Sequence, residues 1–359
     1  MTIETTLRAV AAHGLAMSPD PPPRVPPEQA PLLLAEAYAH KLIGLLDQAV
    51  AEGAVRCESA GVDQVGEMAV LVAAWSLQLE RRLLAVDDLF ARHGVPHRFV
   101  KGATIAHRFY DHPALRMSVD VDVLVPTGRL DQAVAVLADA AHERDQSEPY
   151  RGFSRRYAKS VTMRHRTGAE IDVHRIIADG PFGLRATHDV LWSRPSADVQ
   201  IGGRLVPALD PVAAFVHACV NAVASYDRVS LASLRDVAQV GQAVAGDVPA
   251  VRELADELAV GACVTEAVRQ TSVELGWRAP ASIEAIADWP VSRRERQWLD
   301  SYRERPSDAR RALLGMHAVP GVRAKVAYLA SVGALLSGRP ARRRARPGGP
   351  PHQATGRSR

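Results

Sequence analysis

Two aspartates, Asp120 and Asp122, stand two residues apart in the run Val119-Asp120-Val121-Asp122-Val123-Leu124-Val125. In an extended strand alternate side chains share a face, so both carboxylates project together while Val119, Val121, Val123 and Val125 line the other side. Carboxylates this close repel each other and raise each other's pKa, and a divalent cation removes the penalty. Hard oxygen donors of this kind suit Mg²⁺ or Mn²⁺. A third carboxylate, Asp172, lies in Glu170-Ile171-Asp172-Val173-His174, where Glu170 and His174 share its face. Upstream, Val100-Lys101-Gly102-Ala103 joins a short apolar run to a helical pattern. Glycine there lets the backbone approach a phosphate, and the start of the helix supplies free N–H groups.

The cations are informative by type. Of 44 basic residues only four are lysines, Lys41, Lys101, Lys159 and Lys325. So strong a preference for Arg points to a GC-rich, bacterial coding background, and a retained Lys to a place where a compact ammonium serves better than a planar fork. Lys101 stands beside the glycine turn. Between the two acidic strands, residues 149–169 hold no acid and six cations, Arg151, Arg155, Arg156, Lys159, Arg164 and Arg166. Such a run is more often a solvated hairpin than a binding site; the alternative is that some of these cations face a polyphosphate.

These groups need elements to position them. After a Pro-rich lead-in over 1–27, apolar residues at three- and four-residue steps predict helices over 28–52 and 63–93, the second stopped by Gly94. A short strand over 97–100, a helix over 103–110, a strand over 119–125 and a helix over 127–141 follow. Residues 157–164 and 170–176 read as an antiparallel hairpin turning at 166–169. Beyond Pro181 the pattern is helical, near 210–225, 230–245, 249–276, 291–303, 308–316 and 320–336.

Charge and composition narrow the class. The chain of 359 residues is 47% hydrophobic and carries a net +4, which suggests a nucleic-acid binder. Seven arginines lie in 338–359 with no acid, so the rest of the chain stands at −3 and offers no broad basic face. Nucleic acid is therefore expected only at this Arg-rich tail, whose composition predicts disorder. Three scattered cysteines without a CxxC spacing support neither a zinc site nor a disulfide framework, and fit a reducing cytoplasm. No apolar run approaches the ~20 residues of a membrane span, so no integral membrane association is expected. The absence of GxSxG, HExxH and a complete P-loop leaves serine hydrolase, zinc protease and Walker-type NTPase without support.

The order strand, glycine turn, helix, Asp-x-Asp strand, then a third Asp on a later strand resembles the core of the polymerase-beta-type nucleotidyltransferase superfamily. The stretch FVKGATIAHRFYDHPALRMSVDVDVLVP followed by EIDVHR is more specifically similar to the bacterial family of uncharacterised nucleotidyltransferases. The matching positions are Lys101, Gly102, Tyr110, Arg116, Asp120, Asp122, Leu124, Asp172 and His174. DPVAAFVHACVNAVASYDRVSLASLRDVAQV resembles that family's helical part, with His217, Arg235 and Asp236 at its recurring polar positions. The likeness in element order runs over about 30–330.

The resemblance implies an α+β fold: a small mixed β-sheet nucleotidyltransferase core over 96–180, an N-terminal helical segment over 28–95, a larger C-terminal helical region over 181–336, and the tail over 337–359. It implies metal-dependent transfer of a nucleoside monophosphate from an NTP such as ATP to a hydroxyl-bearing small molecule, peptide or protein, with release of pyrophosphate. Asp120 and Asp122 would bridge two Mg²⁺ (or Mn²⁺) ions, and Asp172 would hold the ion that activates the attacking hydroxyl. Lys101, Gly102, Ala103, Thr104 and Arg116 form the nucleotide-binding set, Arg116 by orienting Asp120 or Asp122. Where the superfamily usually has Gly-Ser or Gly-Gly, this turn has Gly102-Ala103, so Thr104 carries the nearest hydroxyl. The alternative is a catalytically inactive nucleotide-binding or regulatory protein of the same fold.

Overall fold

The structure, a computed structural model, describes residues 2–15, 21–146, 152–165, 168, 170–185, 189–224, 230–303, 313–316, 318–319 and 321–337. The N-terminal part is helical: α1 Ile3–Ala12, α2 Ala30–Ala39, α3 Ile43–Ala51 and α4 Ser59–Arg92. The middle alternates strands and helices: β1 Arg98–Phe99, α5 Gly102–Phe109, β2 Val121–Leu124, α6 Leu130–Asp139, β3 His142–Arg144, α7 Phe153–Tyr157, β4 Ser160–His165 and β5 Glu170–His174. Two short helices, α8 Gly180–Arg185 and α9 Val190–Ser193, lead to β6 Ser196–Ile201 and β7 Arg204–Leu209. Helices α10 Pro211–Val223, α11 Leu231–Ala243, α12 Val248–Glu257, α13 Gly261–Leu275, α14 Ala281–Glu284, α15 Arg293–Arg303 and α16 Val322–Ser337 complete the described chain.

The strands form one mixed sheet in the order β3-β4-β5-β2-β1-β7-β6. The central pair, β2 and β5, is parallel, whereas β1 runs antiparallel to β2 and parallel to β7. Helices cover both faces. Val121, Val123, Ile171 and Val173 pack with α4 and α6 in one core, and Leu124 belongs to a second core with α5, α10, α11 and α13. β2 is accordingly buried along its whole length, which explains an apolar run broken only by Asp122. The 34-residue α4 serves both cores, with Val65 and Val72 in one and Leu79, Leu83, Val86 and Phe90 in the other.

The α+β class and the β4–β5 hairpin agree with expectation; α1, β3 and α7 are not among the expected elements, and three further differences have a local cause. The helix expected over 28–52 is broken at Lys41, where Lys41 N–H bonds Tyr38 O and Leu42 N–H bonds Ala37 O. The helix expected over 249–276 is broken in the same way, with Ala259 N–H to Asp256 O and Val260 N–H to Ala255 O. Both are Schellman ends whose left-handed position usually carries glycine. Here it is Lys41 (φ 59°) and Ala259 (φ 53°), so the sequence shows no stop signal.

The third difference is the β6–β7 hairpin, in a stretch left without a predicted element. Its two-residue turn is Gly202-Gly203, both at positive φ, the type that matches strand twist. Because β7 pairs with β1, the sheet continues to Leu209, past the boundary at 180. Within the lead-in, α1 is a helix capped by Thr2 that packs on α11. The tail from 338 onward, Arg151, Arg166 and most of 308–316 lie outside the described residues. No described helix is long and apolar enough to cross a membrane.

Candidate active site

The parallel pairing of β2 with β5 sets Asp122 directly beside Asp172 and Leu124 beside His174. Even-numbered side chains of both strands therefore share one face and meet across the ladder. Ligand atoms of Asp122, Asp172 and His174 lie within 4.8 Å of one another, a group able to hold a metal ion. Two carboxylates and an imidazole suit a divalent first-row ion or Mg²⁺. Asp120 is outside this trio. It precedes β2 and lines the neighbouring cleft with Glu80, Lys101, Arg116, Ser118 and Asp122. Pairing with β5 groups Asp122 with Asp172, and Asp120 lies near enough to be repelled by both.

Each acid has a distinct environment. Asp122 is buried, and its Oδ1 lies 2.8 Å from Lys101 Nζ and 2.7 Å from His174 Nε2. Burial alone would raise the Asp122 pKa, but Lys101 and His174 outweigh it and hold the carboxyl well below its usual range. Asp120, buried and repelled by Asp122, is pushed up to about 6. Asp172 accepts a hydrogen bond of 2.5 Å from Thr162 Oγ1 on β4. Burial lowers the pKa of His174 against the pull of Asp122, and its Nδ1 has no partner among the described residues.

The turn before α5 is conformationally unusual. Lys101 (φ 55°, ψ −155°) occupies backbone space normally reserved for glycine, and Gly102 follows at φ 48°. Burial disfavours the Lys101 ammonium, yet Asp122 and Asp120 keep its pKa above the ordinary value. Ala103 lines the cleft. Thr104 is buried and its hydroxyl donates to Lys101 O at 2.8 Å, tying the turn together.

Arg116 has a partner other than those foreseen. Its Nε and Nη2 reach both oxygens of Asp236 in α11, at 2.9 and 2.8 Å, and Nη1 reaches Ser118 Oγ at 3.0 Å. Tyr110 donates to the same Asp236 at 2.8 Å. Among the other recurring polar positions, Arg235 donates to backbone carbonyls of Ala11 and His13, binding α1 to α11. His217 on α10 is buried, which pushes its pKa far below normal, and its Nε2 has no partner among the described residues.

Of the cations between the acidic strands, Arg155 pairs with Asp131, and Arg164 pairs with Asp145 and Glu170. Lys159 alone of the described ones is grouped electrostatically with the aspartates. Lys41, which sequence reasoning did not place at the site, sits there too, with Asp120 its strongest acidic neighbour. The only signal for Lys41 was the scarcity of its type.

A family described as "Uncharacterised nucleotidyltransferase" matches residues 26–273, and the chain belongs to that family. Membership supports nucleotidyl transfer in general terms and an NTP as substrate. No curated protein matches the chain. Among solved structures it is similar to an antigenic nucleotidyltransferase-like protein from Paracoccidioides brasiliensis. The identity is 14%, over 57% of this chain and 94% of that one, with a TM-score of 0.34.

Proposed function

We propose that the protein transfers a nucleoside monophosphate from an NTP to a hydroxyl-bearing acceptor and releases pyrophosphate, with a Mg²⁺ or Mn²⁺ ion held by Asp122 and Asp172 beside Asp120 and His174. The observation that carries this reading is the register of β2 on β5, which sets two carboxylates and an imidazole side by side next to a glycine turn that opens a helix. When bound, the cation offsets the clustered negative charge, withdraws charge from phosphate oxygens and lowers the pKa of the attacking hydroxyl. In the transfer the acceptor oxygen bonds to the α-phosphorus, the bond from that phosphorus to the bridging oxygen breaks, and the hydroxyl proton is lost to solvent.

The chain's own residues orient this step. His174 and Lys101 fix the rotamer of Asp122, and Thr162 fixes Asp172. In this reading the first N–H groups of α5, those of Gly102 and Ala103, would face the phosphates. A reducing cytosol suits the three free cysteines.

The test is divalent-ion binding together with pyrophosphate release for each NTP. Asp122→Asn and Asp172→Asn should each weaken Mn²⁺ binding and cut release by on the order of 100-fold or more. Undiminished release in the folded variants would overturn the assignment. A second reading, a nucleotide-binding protein without turnover, is favoured by Ala103 in the turn and by Lys101 already seated on Asp122. It predicts a nucleotide-induced rise in Tm with no pyrophosphate formed.

A further inference from the structure

Three of the chain's four lysines are electrostatically coupled to the acidic cluster, in a protein that otherwise uses Arg. Lys101 pairs with Asp122. Lys41 comes from the α2–α3 turn, with Asp120 its strongest acidic neighbour, and Lys159 from the residue before β4, with Asp179 and then Asp122 and Asp172 as its acidic neighbours. Both are partly buried, and neither ammonium has a hydrogen bond or ion pair among the described residues. Lys159 is repelled by Lys101, and Lys41 by Arg116 and then Lys101. Ammoniums removed from water without a partner are unfavourable, and an anion relieves both the desolvation and the repulsion.

The backbone around them is specialised for this placement. Lys41 fills the left-handed position of a Schellman end, where glycine carries no steric cost, in a chain that contains 25 glycines. Lys101 has positive φ as well, so two of the four non-glycine residues with positive φ among the described residues are site lysines. Gly44 lets α3 approach the segment Pro113–Leu115 below the cleft, since a Cβ there would lie 2.0 Å from Ala114 O. That contact brings the turn carrying Lys41 to Asp120. On the other side Arg175 donates to the carbonyls of Ser154, Arg156 and Ala158, and its N–H bonds Lys159 O at 3.0 Å.

We propose that Lys41 and Lys159, flanking Lys101, form a clamp for the polyphosphate of the nucleotide, holding its non-bridging oxygens in the complex and the pyrophosphate after transfer. This rests on the nucleotidyl-transfer reading. Compact ammoniums suit the role because they contact several oxygens as the chain of phosphates shortens, whereas a planar guanidinium fixes one bidentate geometry. With three lysines opposite three aspartates the cluster is near charge balance before any ligand enters. A tetra-anionic triphosphate with one divalent ion then brings a net charge of about −2, which the ammoniums without ion pairs are there to meet.

The probe is inorganic tripolyphosphate, titrated into the full chain by calorimetry with a chelator present, and separately with Mg²⁺. The wild type should bind without metal, and Lys41→Gly and Lys159→Met should each weaken binding about tenfold or more. Lys41→Gly relieves a strained backbone position, so its Tm should match or exceed the wild type, separating lost binding from lost folding. Lys41→Met provides a second folded variant if glycine alters the turn. Tripolyphosphate affinity unchanged in both folded variants, or no binding by the wild type under either condition, would overturn the clamp. Mn²⁺ binding should persist in the lysine variants. If it persists while tripolyphosphate affinity does not change, the clamp alone fails, whereas no Mn²⁺ binding by the wild type defeats the transfer reading.

Discussion

At the scale of single residues, the site combines strained backbone with buried charge. Lys101 and Gly102 are consecutive residues at positive φ, and the turn they form aims an ammonium at Asp122 while opening the start of α5. A Cβ on Gly102 would meet Ser118 Oγ at 3.5 Å and Asp120 O at 3.9 Å, ordinary contact distances. The cost of Gly102→Ala is therefore almost wholly conformational, about 1 kcal/mol. An unfolding free energy in urea lowered by that amount is the expected result, and an unmoved midpoint would show that the turn does not require glycine. Asp120, Asp122, Asp172 and Lys101 were legible in the sequence because the period of a strand and the rarity of lysine are local facts. Lys41 was not, since its proximity to Asp120 depends on α3 lying against Pro113–Leu115.

At the scale of elements, α10 beneath the site is anchored by the residue that precedes it. Asp210 caps α10, accepting from Val212 and Ala213 N–H at 3.1 and 3.4 Å, and Arg194 pairs with both of its oxygens at 2.9 and 2.7 Å. Burial would raise the Asp210 pKa, but Arg194 and the N–H groups win and lower it. A carboxyl with a depressed folded pKa stabilises above its unfolded value of about 3.9. That contribution disappears as the pH falls from there through the lower folded value. Asp210→Asn, which keeps a cap but loses the charge pair, should cost about 1–2 kcal/mol at pH 7. The gap from wild type should narrow at pH 3 in urea unfolding, and a gap independent of pH would contradict this account.

The helix ends show why element boundaries were only partly readable. Gly94 stops the chain after α4 at φ 61°, as its residue type announced. Lys41 and Ala259 do the same work without announcing it. The β6–β7 hairpin did carry signals, in Gly202-Gly203 and in the period-two alternation of β6, Ser-Ala-Asp-Val-Gln-Ile, but β7 lacks that alternation and carries Pro207, so the pair does not stand out as a hairpin.

At the scale of the whole molecule, one buried charge network joins the sheet region to the C-terminal helices. Asp236 of α11 accepts from Arg116 and Tyr110, more than a hundred residues earlier. Burial opposes the Arg116 charge, but Asp236 more than compensates and holds its pKa above normal. Removing one member strands the others, so Asp236→Ala should cost about 3–5 kcal/mol. Replacing all three together, as Arg116→Met, Tyr110→Phe and Asp236→Leu, should cost much less, because no polar group is left unpaired. Denaturant unfolding distinguishes the two, and a single-variant loss below about 1 kcal/mol would mean that the network does not hold these parts together.

By itself the sequence determined the chemistry available: three carboxylates on strands, a lysine beside a glycine turn, and a basic balance owed to the tail and not to the body. These follow from residue type and from periods of two and 3.6, which act over a few residues. The tertiary structure alone decided which groups meet. Parallel pairing of β2 with β5 chose Asp172 and His174 as companions of Asp122, the packing of α11 took Arg116 for Asp236, and α3 delivered Lys41 to the cluster. Those meetings depend on strand register and helix packing between segments far apart in the chain, and no local spacing encodes them.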